Sequence, residues 1–396
     1  MNQPVYQSFN QLTNQPTHHR IGVIGGGQLA WMMGDAAKKL QIALAIQTPS
    51  AADPAVSIAT HTVFAPIADA AATAKLAELS DAITFENEFV DLEALRSLDQ
   101  VQFYPSLNSL APLLDKYEQR CFLRDRGLPT PEFTAFNPAN LPDRYPVVLK
   151  SRRLGYDGQG TFICRDRSAL EAVLQKYPVA DPLNHWLLEA FVPFDRELAV
   201  MVARSQTGET VVYPVVETQQ ENQVCQRVIV TPEVLIKPDA PSVVKQVESI
   251  ARSLLEALNY VGIMGIEFFL TQDGKVLVNE TAPRTHNSGH YSLDACLTSQ
   301  FEQQLRAVSG LPLGSPDLTA QGAVMVNLLG YEVAESDYAE KRQQIAQIPH
   351  SHLYWYGKSQ SRPGRKLGHV TVLLEEGDRD QALQVAQQVE SIWYPA

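Results

Sequence analysis

The stretch VGIMGIEFFLTQDGKVLVNETAPRTHNSGH, Val261–His290, decides how this chain is read. Two apolar runs, 261–270 and 275–280, flank TQDG, and a glycine-containing turn between such runs marks a β-hairpin. If Leu270 faces Lys275 across a four-residue turn, Glu267 lies opposite Val278 and diagonal to Glu280, so both carboxylates share one face. Two acids set among Ile, Phe, Leu and Val repel each other unless a cation lies between them. Magnesium fits, because it takes oxygen ligands, commonly one or two carboxylates completed by substrate phosphates. Asn279 offers a further neutral oxygen. The loop that follows packs Arg284, His286, Asn287, Ser288 and His290 into seven residues, a density that points to anion handling and proton transfer.

Upstream lies a second unusual stretch, KSRRLGYDGQGTF, Lys150–Phe162. A lysine closes an apolar strand-like run, and Gly155, Gly158 and Gly160 alternate around Tyr156, Asp157 and Gln159. Glycines at that density let backbone lie directly on the phosphates of a nucleotide.

From Arg20 the pattern is strand, glycine turn, helix, strand: RIGVI, GGGQ, LAWMMGDAAKKL, IALAIQ. This opens a parallel α/β unit. Gly25 to Ala30 matches G-x-G-x-x-A, the dinucleotide fingerprint, but the acid needed about 20 residues on is replaced by Gln47. That replacement argues against a nicotinamide-dependent oxidoreductase. The turn still offers N–H groups to a phosphate or carboxylate. Glu86 and Glu88 share a face if ITFENE is extended, at the sheet edge where such folds bind ligands.

The 396 residues exceed what one core usually spans, so two or three domains are expected. A net charge of −12 argues against nucleic acid as the main ligand and makes the basic clusters 150–153 and 362–366 stand out as sites for a small anion. The four cysteines, Cys121, Cys164, Cys225 and Cys296, form no CxxC pair, which fits a reducing cytoplasm and no zinc knuckle. The polar start lacks the apolar core of a signal peptide, and no apolar run reaches the roughly 18 residues that span a bilayer. Neither a nucleic-acid nor a membrane partner is expected. Breaks in the pattern divide the chain into a polar arm (1–19), a doubly wound α/β domain (20–109), a central region (110–315) with a β-rich subdomain over about 145–220, and a C-terminal part (316–396). A helix is expected over 110–126, ended by Gly127 and by Pro129 and Pro131.

The order and spacing of VLK150, GYDGQGT, LLEAFV with Glu197, and the Glu267 and Asn279-Glu280 pair resemble the ATP-grasp superfamily. Within it, GGGQL, HNSGH, SQFEQ, the WYGK run and RPGRKLGH resemble the N5-carboxyaminoimidazole ribonucleotide synthase family of purine biosynthesis. The resemblance runs from Arg20 to the C-terminus. It implies an α/β fold, α+β overall: a Rossmann-like preATP-grasp domain, the ATP-grasp domain with its lid, and a small β-rich C-terminal domain.

The activity implied is ATP-dependent phosphorylation of bicarbonate to carboxyphosphate, whose carboxyl unit passes to the amine of 5-aminoimidazole ribonucleotide. ATP and Mg2+ are the implied cofactors, and a homodimer the implied assembly. By resemblance, Lys116 and Lys150 neutralise phosphate charge, and Gly155, Tyr156, Asp157, Gly158, Gln159, Gly160 and Thr161 close over the triphosphate. Glu189, Ala190, Phe191 and Val192 meet adenine, Glu197 the ribose, and Gln220 and Asn279 the nucleotide, while Glu267 and Glu280 hold magnesium. Arg284 and His286 hold bicarbonate and carboxyphosphate, and Asp157 orients or deprotonates the amine beside Tyr156. Lys366, Lys358 and Arg365 bind phosphate, and Gly27, Gln28, Leu29 and Glu86 line the ribonucleotide pocket. Gln159 stands where the family carries Arg or Lys, and Gln220 where it often carries His. The rival within the superfamily is a formate-dependent glycinamide ribonucleotide transformylase, against which HNSGH and RPGRK argue.

Overall fold

The structure is a computed structural model that describes residues 18–153, 155, 160–221, 223–231 and 240–395. Its N-terminal layer is a four-stranded parallel sheet of β1 (Arg20–Ile24), β2 (Ala43–Thr48), β3 (His61–Phe64) and β4 (Ala82–Phe85), in the order β3-β2-β1-β4. β1, β2 and β4 are buried on both faces, as the inner strands of a parallel sheet require, while the edge strand β3 is partly exposed, with Phe64 facing solvent. The helix expected after the glycine turn divides into Gln28–Trp31 and Gly34–Leu40. At Gly34 a Cβ would meet Ile58 Cγ2 at 2.9 Å, so the division goes with a close approach that only glycine allows.

A second, antiparallel sheet comprises β5 (Phe133–Ala135), β6 (Val147–Ser151), β7 (Thr161–Cys164) and β8 (Trp186–Ala190), ordered β5-β8-β6-β7. The β-rich stretch expected over 145–220 therefore does not form one sheet. From Phe191 onward the chain crosses into a third, nine-stranded sheet. Its strands are β9 (Phe194–Arg204), β10 (Thr210–Val212), β11 (Val216–Glu221), β12 (Val224–Val230), β13 (Gly262–Thr271), β14 (Val276–Ala282), β15 (Gly322–Leu329), β16 (Ser351–Trp355) and β17 (Lys366–Leu374). The path runs β14-β13-β9-β11-β12-β15-β17-β16, with β10 beside β9. The C-terminal strands thus continue the central sheet through the β12–β15 pairing.

The helix Ala240–Ala257 covers this sheet with Val243, Val247, Ile250, Ala251 and Leu254, a 3.6-residue stripe packed on Leu198, Val200, Phe268 and Val278. The C-terminal helix Arg379–Trp393 covers β15 and β17 in the same way. The helix expected over 110–126 begins instead at Lys116 and ends at Asp125. Asp115 caps it, accepting from the N–H groups of Tyr117 (2.9 Å) and Glu118 (3.3 Å), and Pro112 holds the chain before it in a separate 3-10 turn. Phe301, Leu305 and Val308 of the helix Gln300–Val308 reach into the core of the N-terminal layer and join it to the central sheet.

Candidate active site

β13 and β14 form the expected hairpin, but its register differs from the expected one. Thr271 and Lys275 face each other across a three-residue turn, Gln272 to Gly274, with Gly274 at φ +79°. Leu270 therefore pairs with Val276, and Phe268 with Val278. The register then shifts, so that Glu267 pairs directly with Glu280 and Asn279 is the extra residue of a bulge. Glu267, Asn279 and Glu280 all line one cavity.

That cavity, about 490 Å3, lies between the second sheet, the hairpin and the loops of the N-terminal layer. Its apolar side is made by Val148, Ile163, Ala190, Phe191, Val192 and Phe269, with Phe194 stacked on Phe269 at 4.8 Å between centroids. Ala190 to Val192 form the passage from β8 to β9, so both sheets contribute to this slot. Such a flat apolar slot beside polar groups suits a nucleobase.

Its polar side rests on a charge network. Lys150 Nζ lies 2.8 Å from Glu189 Oε2 and 3.2 Å from Asn279 Oδ1. Arg120, on the helix Lys116–Asp125, donates from Nε to Glu189 Oε1 (2.5 Å) and from Nη2 to the Asn279 carbonyl (2.5 Å). Burial alone would raise the Glu189 carboxyl, but Arg120 and Lys150 outweigh it and hold it at about 2. The Glu189 side chain thus anchors cations. Burial lowers Lys150 despite that partner. Lys116 pairs with Glu280, which is held below its ordinary value although burial opposes this. At Glu267 the balance is reversed: burial, then Glu280 and Glu197, outweigh Lys366 and Lys116 and push it up to about 8. Burial pushes Glu197 up to about 7. Carboxylates crowded to that degree are a donor set that a dication would relieve, and the residues present fit magnesium. Among the described residues no three or more His, Cys, Asp or Glu converge on one point.

Opposite the hairpin, Glu88 holds Arg284 through two bonds, Nε to Oε2 at 2.6 Å and Nη2 to Oε1 at 3.1 Å. His286 sits between Ser288 (Nδ1 to Oγ, 2.9 Å) and Glu267 (Nε2 to Oε1, 3.9 Å). Asn287 makes a reciprocal amide pair with Asn327 of β15, at 2.9 and 2.7 Å, so its side chain ties the loop to the sheet. Gln28, Leu29, Glu88, Arg284, His286 and Lys366 line the cavity together with Lys116, Lys150, Gly155, Thr161, Glu197 and Gln220.

Gln28 and Lys366 also border a second cavity, of about 840 Å3, lined by Lys358, Arg362 and Arg365. Lys358 Nζ donates to the Lys366 carbonyl at 2.6 Å, and Arg365 Nη1 to the Gln360 carbonyl at 2.7 Å. The C-terminal basic run therefore divides: Lys366 reaches both chambers, while Lys358 and Arg365 serve the second.

Two expectations at the glycine turn are corrected. The N–H groups of Gly27 and Leu29 are already taken by the buried Glu86 carboxylate, and a Cβ at Gly25 or Gly27 would lie 2.4 Å from its oxygens. Those two N–H groups are therefore not open to a substrate anion, and Gly27 and Glu86 line neither cavity, whereas Glu88 lines the first and holds Arg284. Gln47 donates to the carbonyls of Pro66 (2.8 Å) and Asp69 (3.2 Å), tying loops together where a dinucleotide fold would place its ribose acid. Gly160, at φ +78°, closes the base of the glycine loop by accepting from Ser151 N–H at 2.7 Å. Tyr156, Asp157, Gly158 and Gln159 lie outside the described residues. Arg120 and Gln300 escaped the sequence reading, whereas Glu88 was singled out in it; the signal for Arg120 was a cation on the buried stripe of an otherwise surface-like helix.

Residues 18–112 match the ribonucleotide synthetase preATP-grasp domain, 121–301 the ATP-grasp domain and 323–384 the phosphoribosylaminoimidazole carboxylase C-terminal domain. The chain is 54% identical over 397 residues to N5-carboxyaminoimidazole ribonucleotide synthase of Synechococcus elongatus, covering 97% of this chain and 98% of that one. The crystal structure of the Thermotoga maritima synthetase superposes with a TM-score of 0.81 at 37% identity, over 94% of this chain and 98% of that one. The Aspergillus clavatus synthase, in complex with ADP and 5-aminoimidazole ribonucleotide, superposes with a TM-score of 0.84 at 29% identity, over 95% and 98%. No described helix is long and apolar enough to cross a membrane. Identity at this level along nearly the whole chain, with three matching domains in order, means that the chain belongs to the N5-carboxyaminoimidazole ribonucleotide synthase family of ATP-grasp ligases.

Proposed function

We propose how this chain divides the labour of the family's reaction, the ATP-dependent carboxylation of 5-aminoimidazole ribonucleotide to N5-carboxyaminoimidazole ribonucleotide. The observation that carries the proposal is the direct pairing of Glu267 with Glu280 at the meeting point of an apolar slot and a cationic chamber. Adenine lies in the slot against Phe191, Val192 and Phe269, and Glu197 takes the ribose hydroxyls. Lys150 and Lys116 neutralise phosphate oxygens, with Lys150 held straight by Glu189 and Asn279. Glu267, Glu280 and Asn279 would hold magnesium, which when bound spreads the charge of the transferring phosphoryl group.

A bicarbonate oxygen attacks the γ-phosphorus, the bond to the β-phosphate oxygen breaks, and ADP leaves. Arg284 and His286 hold the resulting carboxyphosphate. Its carboxyl carbon then bonds to the amine nitrogen of the ribonucleotide while the bond to the phosphate oxygen breaks, releasing inorganic phosphate. The amine proton passes to Asp157, a role that rests on the sequence. The ribonucleotide enters between Gln28, Leu29 and Lys366, with its phosphate toward Lys358 and Arg365 in the second cavity, which adjoins the first at Gln28 and Lys366. The surrounding protein excludes water that would hydrolyse the intermediate. We further propose a cytoplasmic homodimer, for which sedimentation velocity is the check.

The test is ADP release from Mg-ATP and bicarbonate, with and without the ribonucleotide. Strong stimulation by the ribonucleotide, lost in Asp157→Ala, supports the assignment; turnover indifferent to it overturns it.

A further inference from the structure

His290 is a fully buried imidazole at 0% exposure that nonetheless lines the active cavity. Its charged and titratable neighbours are His369, Lys366, His286 and Arg284, of which the last three line the same cavity. His369 lies 4.9 Å away between ring centroids, and Phe301 packs at 5.7 Å.

Its tautomer follows from Gln300. The Gln300 Oε1 accepts from the His286 N–H at 2.9 Å, and Nε2 donates to the His286 carbonyl at 2.8 Å. A peptide N–H only donates and a peptide carbonyl only accepts, so the two bonds fix which end of the amide is which. The same Nε2 lies 2.9 Å from His290 Nδ1, so Nδ1 must accept. Burial keeps the ring neutral, and a neutral imidazole that accepts at Nδ1 carries its proton on Nε2. That Nε2–H has no partner among the described residues. An unpaired buried donor is unfavourable by about 1–3 kcal/mol, so one that lines a cavity calls for a partner held there.

We propose that the Nε2–H of His290 donates a hydrogen bond to an oxygen of the one-carbon substrate, bicarbonate or the carboxyl group made from it, and that Gln300 is the positioning residue that fixes this tautomer. The inference rests on the chamber being the site of carboxylation. The donor is useful because it stays neutral: it orients a carboxyl oxygen without adding a further cation beside Arg284 and Lys366. Gln300 also grips the backbone of His286, so one side chain sets two imidazoles of the HNSGH loop.

The test is steady-state titration of bicarbonate on the full chain at saturating Mg-ATP and ribonucleotide, in buffer stripped of carbon dioxide. His290→Leu is expected to raise the bicarbonate KM by roughly 10-fold or more, as for loss of a bond to a charged group, with the ATP KM within twofold of wild type. His290→Gln, whose amide N–H2 can reach the Nε2 position, is expected to recover most of the loss. A wild-type bicarbonate KM in H290L overturns the proposal, whereas a wild-type enzyme that ignores bicarbonate overturns the functional reading beneath it. Should H290L fail to fold, nitrogen NMR of wild type labelled in its imidazoles decides. The expected result is a proton on Nε2 whose resonance moves with bicarbonate; an Nδ1–H tautomer or an unmoved signal overturns the proposal. Gln300→Glu, with an ionised side chain that can only accept, is expected to draw the proton to Nδ1, and an unchanged tautomer in Q300E removes Gln300 from it.

Discussion

Glu267 and Glu280 stand directly opposite each other across β13 and β14 because Asn279 bulges out of register between Val278 and Glu280. A regular ladder would set Glu267 against a different residue; the bulge re-aims the strand so that both acids and the amide reach the cavity. The metal-free protein absorbs this crowding by protonation, with Glu267 up at about 8.

The crowding has a signed consequence for stability. A carboxyl whose folded-state pKa is raised stabilises the fold fully below its unfolded value, near 4.5, and that stabilisation is lost as the pH rises through about 8. Metal-free Glu267→Gln should therefore gain on wild type between these limits, and most above pH 8. The measurement is urea unfolding at several pH values in chelator. Turnover should fall on the order of 10²-fold or more in the same variant, since a ligand for the charge of the transferring phosphoryl group is gone.

The Arg120, Glu189 and Lys150 network behaves in the opposite sense. Glu189 is held at about 2, so its contribution is present above its unfolded pKa near 4.5 and disappears as the pH falls toward 2. Glu189→Leu leaves two buried cations without their carboxylate and is expected to destabilise the protein by roughly 3–5 kcal/mol at pH 7. Chemical unfolding of the variant beside Arg120→Met and the double substitution checks this. The double variant should recover part of the loss, because it removes one of the stranded charges.

The strands of the hairpin and the Glu267 and Glu280 pair were legible because alternating apolar residues and a glycine turn are local signals. The bulge at Asn279 was not, since its position depends on how β14 must meet β13. The seat of Glu86 was hidden for a related reason: GGGQ looks the same whether its N–H groups face a ligand or the protein's own carboxylate. The C-terminal strands were found as strands, but their pairing through β12 and β15 joins residues about 100 positions apart, which no short window reveals. The helix Gln300–Val308 did carry a readable signal. Gln300, Gln303 and Gln304 recur at the spacing of Phe301, Leu305 and Val308, and glutamines on a helix's buried side must be bonding something.

His369 supplies a third pH dependence. Burial lowers its pKa to about 3, with Nδ1 bonded to Tyr356 Oη at 2.8 Å and the ring stacked on Tyr354 at 4.7 Å. A group with a depressed folded-state pKa contributes stability above its unfolded value, about 6.5, and loses it as the pH falls toward 3. Between pH 6.5 and 5 this amounts to roughly 2 kcal/mol. His369→Phe, which retains the stacking, should flatten the acid limb of stability by about that amount while lowering stability at pH 7.5.

Gly27 and Glu86 give a test of the corrected glycine turn. A Cβ at Gly27 would lie 2.4 Å from Glu86 Oε1, so Gly27→Ala forces the carboxylate off the N–H groups of Gly27 and Leu29. Overpacking of that kind is expected to destabilise the fold by roughly 1–3 kcal/mol. Shortening the partner relieves the clash but leaves the two N–H groups unpaired, so Glu86→Ala alone should also be unfavourable. The two effects overlap: once Glu86 is gone, the added methyl has nothing to displace. The double variant G27A/E86A should therefore be less destabilised than the two single losses added together, by at least 1 kcal/mol as contacting residues show. Strict additivity in the unfolding cycle would mean that Glu86 does not occupy the turn, and the N–H groups would then be available to a substrate anion after all.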